Sequence, residues 1–176
     1  LMMQKPPIKA QYPWLEVAKD GLSIWHPSIT SHKPFQLNLN VRSPKPLREL
    51  LCRACGLNKA GQGLKIIDAT AGFAQDSMLL AYAGAKVLLC ERNFLVAEML
   101  NEALERLQAH EASLASQLAV HYGEAQEILP TLAEAFQPAI IYLDPMFGGE
   151  GQRTAKPQKA MQFLQWLCKS DPQSDS

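Results

Sequence analysis

The chain has 176 residues, enough for one domain with a substantial hydrophobic core and too few for two full domains. Its hydrophobic content of 47% and its formal net charge of zero are those of an ordinary globular protein. No apolar run reaches the roughly 18 residues that a membrane span requires, and the Met-rich start lacks the long apolar core of a signal peptide. These features argue against a membrane protein and predict a cytoplasmic one.

The N-terminal part differs from the rest of the chain in proline content and charge. Seven of the 12 prolines lie within the first 46 residues, and ten basic residues stand against three acidic ones up to Lys65. From Ile66 onward the balance reverses to seven basic and 14 acidic residues. We therefore predict a basic N-terminal region over residues 1–45 and a second domain over 46–176. The basic excess favours an anionic partner, although a solvated basic surface explains it as well.

Short apolar runs alternate with helical patterns from residue 64 onward. Predicted strands cover residues 22–25 and 35–41 in the N-terminal region, and 65–69, 86–90, 118–122 and 139–143 in the second domain. Predicted helices cover 46–55, 76–83, 94–109 and 125–135, and Pro157 opens a last one. The four later strands with intervening helices predict an α/β fold, with a mainly parallel sheet covered on both faces. Ligands of such sheets bind beyond the carboxyl ends of the strands.

The first strand of the second domain leads into a turn of small residues, 68–76, and then into a helix. Small residues such as Gly72 let a ligand approach the backbone, and the helix N-terminus offers free N–H groups. One glycine does not make the G-x-G-x-x-G dinucleotide fingerprint. Without a ligand, Gly72 would mark an ordinary tight turn and Asp76 would cap the helix.

Glu91 follows the next predicted strand directly, 23 residues beyond Asp68. In nucleoside-binding α/β sheets an acidic side chain at this place accepts hydrogen bonds from both ribose hydroxyls. Together with the preceding turn, Glu91 predicts a nucleoside cofactor. The alternative is a surface pair formed by Glu91 and Arg92.

The most specific pattern is the apolar strand that runs into Asp144-Pro145-Met146-Phe147. An exocyclic base amine is a poor nucleophile because its lone pair is delocalised into the ring. The Asp144 carboxylate and a neighbouring backbone carbonyl can hold both N–H groups and orient the nitrogen toward a sulfonium methyl group. Phe147 can stack on the unstacked base. We assign Asp144, Pro145 and Phe147 to catalysis; otherwise Asp144 caps a turn and Phe147 lies in the core.

With these segments in this order, the chain resembles the class I S-adenosylmethionine (SAM)-dependent methyltransferases. Within that class it resembles the RsmJ family, which methylates N2 of a guanine in small-subunit (16S) ribosomal RNA. The resemblance rests on residues 68–76, Glu91-Arg92-Asn93 and Tyr142-Leu143-Asp144-Pro145-Met146-Phe147, and covers about residues 35–167. It implies a Rossmann-like methyltransferase core. It also implies SAM as methyl donor, S-adenosylhomocysteine (SAH) as product, and ribosomal RNA or the small ribosomal subunit as partner.

The resemblance also implies a set of cofactor-binding residues, namely Asp68, Gly72, Gln75, Asp76, Glu91, Arg92, Gly123, Glu124 and Asp144. Two positions depart from the family pattern. Ala74-Gln75 replaces Gly-Arg in the first loop, and Gly123-Glu124 replaces Ser-Ser near the adenine, where Glu124 is suited to accept from the adenine amino group. We expect these changes to bear on cofactor affinity. No metal is expected, because methyl transfer from a sulfonium needs none and the Cys52 and Cys55 pair has no second pair beside it.

The predicted strands stop short of the seven-stranded sheet that class I methyltransferases usually complete. A fourth strand with an unpaired edge and a bare apolar face is an aggregation liability, so we expect either a fragment of a longer protein or a cover supplied by a partner or by the N-terminal segment. Two other functions fit the patterns. One is adenine-N6-type methylation of a nucleic acid, which uses a similar Asp-Pro-Pro-aromatic loop. The other is a non-catalytic RNA- or protein-binding module derived from a methyltransferase.

Overall fold

The computed structural model describes residues 13–18, 21–30, 33–39, 49–57, 63–144 and 159–169. Within them the chain forms two sheets. The small antiparallel sheet has the order β1-β2-β3 and consists of β1 Trp14–Ala18, β2 Gly21–Trp25 and β3 Phe35–Gln36. The parallel sheet has the order β6-β5-β4-β7 and consists of β4 Lys65–Asp68, β5 Lys86–Glu91, β6 Leu118–Tyr122 and β7 Ile140–Tyr142.

Six helices accompany the two sheets in the described part of the chain. They are α1 Leu50–Ala54, α2 Gln75–Tyr82, α3 Phe94–His110, α4 Ala112–Ala115, α5 Ala125–Phe136 and α6 Lys159–Lys169. The predicted α/β fold with a parallel four-stranded sheet is confirmed. Strand β1 and helix α4 were not predicted, and β3 is shorter than the strand expected at 35–41. The start of the helix expected at 46–55 and Pro157 lie outside the described residues.

The strand order places a crevice at the centre of the parallel sheet. Strands β4, β5 and β6 are added in one direction, and the chain then returns across the sheet to place β7 on the other side of β4. The connections on the two sides of β4 therefore run in opposite directions. In open α/β sheets such a switch point opens a ligand crevice at the carboxyl ends of the strands.

The longest helix shows how the local sequence builds the core. The Asn93 side chain caps α3 by accepting a 3.2 Å hydrogen bond from the N–H of Val96. Val96, Met99, Leu100 and Ala103 repeat at helical spacing and are buried on the face that meets the sheet.

The N-terminal sheet packs against the same core. Ile24, Leu37 and Leu39 are buried in one hydrophobic cluster with the strands of the parallel sheet. Arg106 of α3 donates to the backbone carbonyl of Leu37 and to the Asn38 side chain, which ties the segment after β3 to the helix. The division of the chain at residues 45 and 46 stays a prediction, and the two parts share a core.

The outer side of β7 is less well covered than the rest of the sheet. Among the described strands β7 pairs with β4 alone. Ile141 and Leu143 are 45% and 59% exposed, and helix α5 has no buried residue. No described helix is both long enough and apolar enough to span a membrane.

Candidate active site

Four carboxylates gather at the carboxyl edge of the parallel sheet. Asp68 ends β4, Glu91 ends β5, Asp144 follows β7, and Asp76 lies in the first turn of α2. These four residues are called the acidic edge below, and Asp68 is close enough to interact electrostatically with each of the other three. Burial raises the pKa of Asp68, hydrogen bonds from Ser77 and Thr70 oppose this effect, and the nearby negative charges of Asp76 and Asp144 add to the increase. The residues predicted for the cofactor and for the base therefore lie along one edge of the sheet, at the crevice that the strand order predicts.

The buried Asp68 side chain stabilises the turn between β4 and α2, residues 69–74, which is called the first turn below. Its side chain is 2% exposed, its Oδ1 accepts from the N–H of Thr70 at 3.1 Å, and its Oδ2 accepts from the Ser77 hydroxyl at 2.6 Å. Both carboxylate oxygens are thus engaged with the turn and with the start of α2. This geometry suits a residue that shapes the cofactor loop. A direct contact of Asp68 with a cofactor stays a prediction.

Glu91 joins the first turn to the end of β5. Its Oε2 accepts from the N–H of Gly72 at 2.9 Å, and its Oε1 accepts from the N–H of Asn93 at 2.8 Å. Burial raises the pKa of Glu91 to about 7, against the opposing effect of these two N–H groups. Each oxygen keeps a second lone pair that can accept a ribose hydroxyl.

The turn before α2 contains two residues with a left-handed backbone conformation. Gly72 has a φ of +52°, and Ala74, at the N-cap of α2, is also left-handed with a φ of +57°. A Cβ on Gly72 would lie 3.1 Å from Leu164 Cδ2, so a larger residue would crowd α6. Gln75 begins α2 and is exposed, so its side chain is available at the helix N-terminus, which favours negative ligand groups.

The carboxyl ends of β5 and β6 lie side by side next to Glu91. The N–H of Gly123 donates to the Glu91 carbonyl at 3.0 Å, and a Cβ on Gly123 would lie 2.9 Å from Ile128 Cγ2. Arg92 and Glu124 approach each other to 3.7 Å in a partly exposed ion pair. Arg92 therefore reaches Glu124 in space, a contact that the sequence analysis did not foresee.

Asp144 lies where the base is expected. It is exposed, and its backbone N–H donates to Thr70 Oγ1 at 2.7 Å, so the start of the predicted catalytic loop is fastened to the first turn. Pro145 and Phe147 lie outside the described residues, and their assigned roles stay predictions.

Two residues of the site lie in the motifs named above but were given no role by the sequence analysis. One is Thr70, which holds Asp144. The other is Tyr142, whose hydroxyl donates to Asp76 Oδ2 at 2.7 Å. Strand alternation carried a signal for Tyr142, because residues two apart point to the same side and Asp144 is two residues further on.

The residues of the cleft fit SAM on structural grounds. SAM carries a sulfonium and an ammonium group, and the acidic edge supplies several carboxylates for these cations. The partly buried Glu91 carboxylate, fixed by the Gly72 N–H, suits a ribose. Within the described residues no group of three or more His, Cys, Asp and Glu side chains could hold a metal ion.

Known proteins are similar to this chain in sequence and in architecture. Residues 37–176 match the sequence model of a SAM-dependent methyltransferase family, SAM_MT. Ribosomal RNA small subunit methyltransferase J of Alkalilimnicola ehrlichii is 33% identical over 174 residues, which are 95% of this chain and 64% of that protein. The enzyme of that name from Legionella pneumophila strain Lens is 41% identical over 125 residues, which are 70% and 49% of the two chains.

A solved structure agrees with these sequence matches. The crystal structure of a SAM-dependent methyltransferase from Neisseria gonorrhoeae superposes with a TM-score of 0.67 at 25% sequence identity. The superposition covers 82% of this chain and 60% of that one. The chain thus spans between about half and about two thirds of the length of these relatives.

Proposed function

The chain belongs to the RsmJ family of SAM-dependent methyltransferases, and from this we propose that it methylates the exocyclic N2 of a guanine in small-subunit ribosomal RNA. One structural observation carries the proposal. The turn that contains Thr70 and Gly72 is hydrogen-bonded to both Asp144 and the Glu91 carboxylate at the carboxyl edge of the sheet. A cofactor held by Gly72 and Glu91 would thereby face a base held by Asp144.

Different residues of the acidic edge and its neighbours would bind the different parts of SAM. Glu91 accepts both ribose hydroxyls, and Asp76 at the start of α2 accepts the amino group of the methionine part. Gln75 and the free N–H groups of α2 take its carboxylate. Glu124 accepts from the adenine amino group beside Arg92. When bound, SAM supplies a methyl group activated by its positive sulfur.

On the base side, Asp144 orients the nucleophile. Its carboxylate accepts one N–H of the guanine amine, and a neighbouring backbone carbonyl accepts the other. This arrangement points the nitrogen lone pair at the methyl group. The negative charge of Asp144 also stabilises the positive charge that develops on the nitrogen as the bond forms. The nitrogen then loses its proton to water, so a strong base is not needed, and Phe147 stacks on the base.

The proposed partner is ribosomal RNA or the small ribosomal subunit in the cytoplasm. The four proposed phosphate contacts are Arg42, Lys45, Arg48 and Arg53, of which Arg53 on α1 lies within the described residues. Basic side chains bind phosphate by Coulomb attraction and by release of counterions. RNA binding should therefore weaken steeply with salt.

The test is methylation of ribosomal RNA taken from cells that lack the gene, with mass-spectrometric mapping of the product. We expect one guanine to gain a methyl group on N2. A mark on adenine N6 would support the alternative nucleic-acid methyltransferase. SAH binding is measured alongside by calorimetry. An intact protein that neither binds SAH nor methylates RNA would be a non-catalytic module, contrary to the proposal.

A further inference from the structure

Two side-chain hydrogen bonds fasten the end of β7 to the segment that follows β4. The Tyr142 hydroxyl donates to Asp76 Oδ2, and the Asp144 N–H donates to Thr70 Oγ1, both at 2.7 Å. Between them, the Ala69 N–H donates to the Tyr142 carbonyl at 2.9 Å. The position of Asp144 is therefore linked to the residues that precede α2.

Tyr142 is suited to orient a carboxylate without neutralising it. Burial raises the pKa of the Tyr142 phenol, and the hydrogen bond to Asp76 raises it further, so the phenol stays protonated at physiological pH. A Lys or Arg at this position would also bind Asp76, but its positive charge would oppose a cationic ligand. A neutral donor fixes Asp76 and leaves its negative charge to the ligand.

The tyrosine hydroxyl is not needed to fill space. The ring of Tyr142 is partly buried and packs against the core, and a phenylalanine ring would occupy the same volume. The hydroxyl adds one interaction, a hydrogen bond to a residue 66 positions away in the chain. Asp76 has a second carboxylate oxygen, which can accept from a ligand.

We propose that Tyr142 is a positioning residue, which holds the Asp76 carboxylate in the orientation that receives the amino group of the methionine part of SAM. The inference rests on the proposed function, because it assigns SAM to the cleft. It predicts that the Tyr142 hydroxyl matters only for ligands that carry the amino-acid part. Ligands that end at the sulfur should bind equally well without it.

The experiment compares Tyr142→Phe with a matched control, Tyr82→Phe. Tyr82 also donates to a carboxylate, Glu111 Oε2 at 3.0 Å, but it lies at the other end of α2 from Asp76. Calorimetry of the full chain would use SAH, and 5′-methylthioadenosine as a ligand without the amino-acid part. We expect Tyr142→Phe to bind SAH roughly five- to tenfold more weakly, the effect of one impaired charged hydrogen bond. Its affinity for methylthioadenosine should stay within about twofold, and Tyr82→Phe should match wild type for both ligands.

Three outcomes separate this inference from the proposed function. Unchanged SAH affinity in Tyr142→Phe, with normal binding by wild type, would overturn the inference alone. An equal loss for both ligands would mean a general disturbance of the cleft and would also overturn it. Failure of wild type to bind either ligand would remove the proposed function, and this inference with it. In an Asp76→Asn background the Tyr142→Phe change should add no further loss, because the charged partner is already gone.

Discussion

The backbone N–H of Gly72 donates to Glu91 Oε2 at 2.9 Å, so the turn after β4 and the end of β5 are joined through one carboxylate. The same carboxylate accepts from Asn93. The group proposed to bind the ribose therefore also shapes the turn beside it. Changes at Glu91 should affect both cofactor affinity and the stability of the free protein.

The first prediction concerns the pH dependence of cofactor binding. Burial raises the pKa of Glu91 to about 7, and the ionised form is the better acceptor for two ribose hydroxyls. SAH affinity should therefore rise between about pH 6 and about pH 8 and level off above that range. Calorimetric titrations in matched buffers measure it. Glu91→Gln should bind SAH more weakly and with little dependence on pH, and a pH dependence equal to wild type would exclude Glu91 as the responsible group.

The second prediction concerns the free energy of unfolding of the ligand-free protein. The contribution of Glu91 to it should decrease as pH rises, whereas SAH affinity should increase. Folding raises the pKa of Glu91 from 4.5 to about 7, so between these values the folded chain holds more protons than the unfolded chain. The contribution of this group to the free energy of unfolding therefore decreases as pH rises through that interval. Denaturant unfolding at several pH values gives the free energy of unfolding as a function of pH, and this free energy should fall less steeply with pH in Glu91→Gln. An equally steep fall in wild type and Glu91→Gln would mean that Glu91 keeps its ordinary pKa.

The third prediction separates the chemical step from cofactor binding at Asp144. Asp144→Ala removes the carboxylate that orients the amine and stabilises its developing charge, so methyl transfer should fall by at least about 100-fold. SAH affinity should change by less than about threefold, because the side chain is exposed beside the cofactor loop and its backbone N–H bond to Thr70 remains. Glu105→Ala, an exposed acid on α3, is the control and should retain full activity. Near-normal turnover in Asp144→Ala would end its catalytic assignment.

The fourth prediction uses two left-handed glycines. Gly72 and Gly56 have φ values of +52° and +69°, and a Cβ on Gly56 would meet no atom within 4 Å. Alanine at either site should lower the free energy of unfolding by about 1 kcal/mol through backbone strain. Only Gly72→Ala should also weaken SAH binding, because its Cβ would lie 3.1 Å from Leu164 Cδ2 and would displace the turn that contacts Glu91. Equal SAH affinities for the two variants would show that the turn does not approach the ligand.

The fifth prediction links the N-terminal sheet to the cofactor turn. Phe35 of β3 lies with its ring centroid 5.3 Å from that of Phe73, which follows Gly72, and 4.6 Å from that of Phe163 on α6. Phe35→Ala should cost about 2–3 kcal/mol of stability, since it leaves a cavity between these rings. It should also weaken SAH binding, whereas Leu15→Ala on the exposed face of β1 should do neither. A destabilised Phe35→Ala variant with unchanged SAH affinity would separate the N-terminal sheet from the cofactor site.

Much of the fold could be predicted from local patterns. Strand β6 has the predicted bounds, β4 and β5 differ from theirs by one residue at the C-terminal end, and β7 is one residue shorter at each end. Glu91 and Asp144 were correctly placed at strand ends, because apolar runs and turn residues signal where a strand stops. Strand β1 was missed: its Leu15 and Val17 are exposed, and it owes its place to pairing with β2.

The amino-acid order alone was enough to say which residues stand at the ends of strands, because hydrophobic period and turn chemistry act over a few neighbours. Only the folded arrangement decided which ends meet. Tyr142 reaches Asp76 across 66 positions because β7 returns to pair with β4, and Arg92 reaches Glu124 because β5 and β6 lie side by side. Strand order and register depend on packing of the whole core, which no short segment encodes.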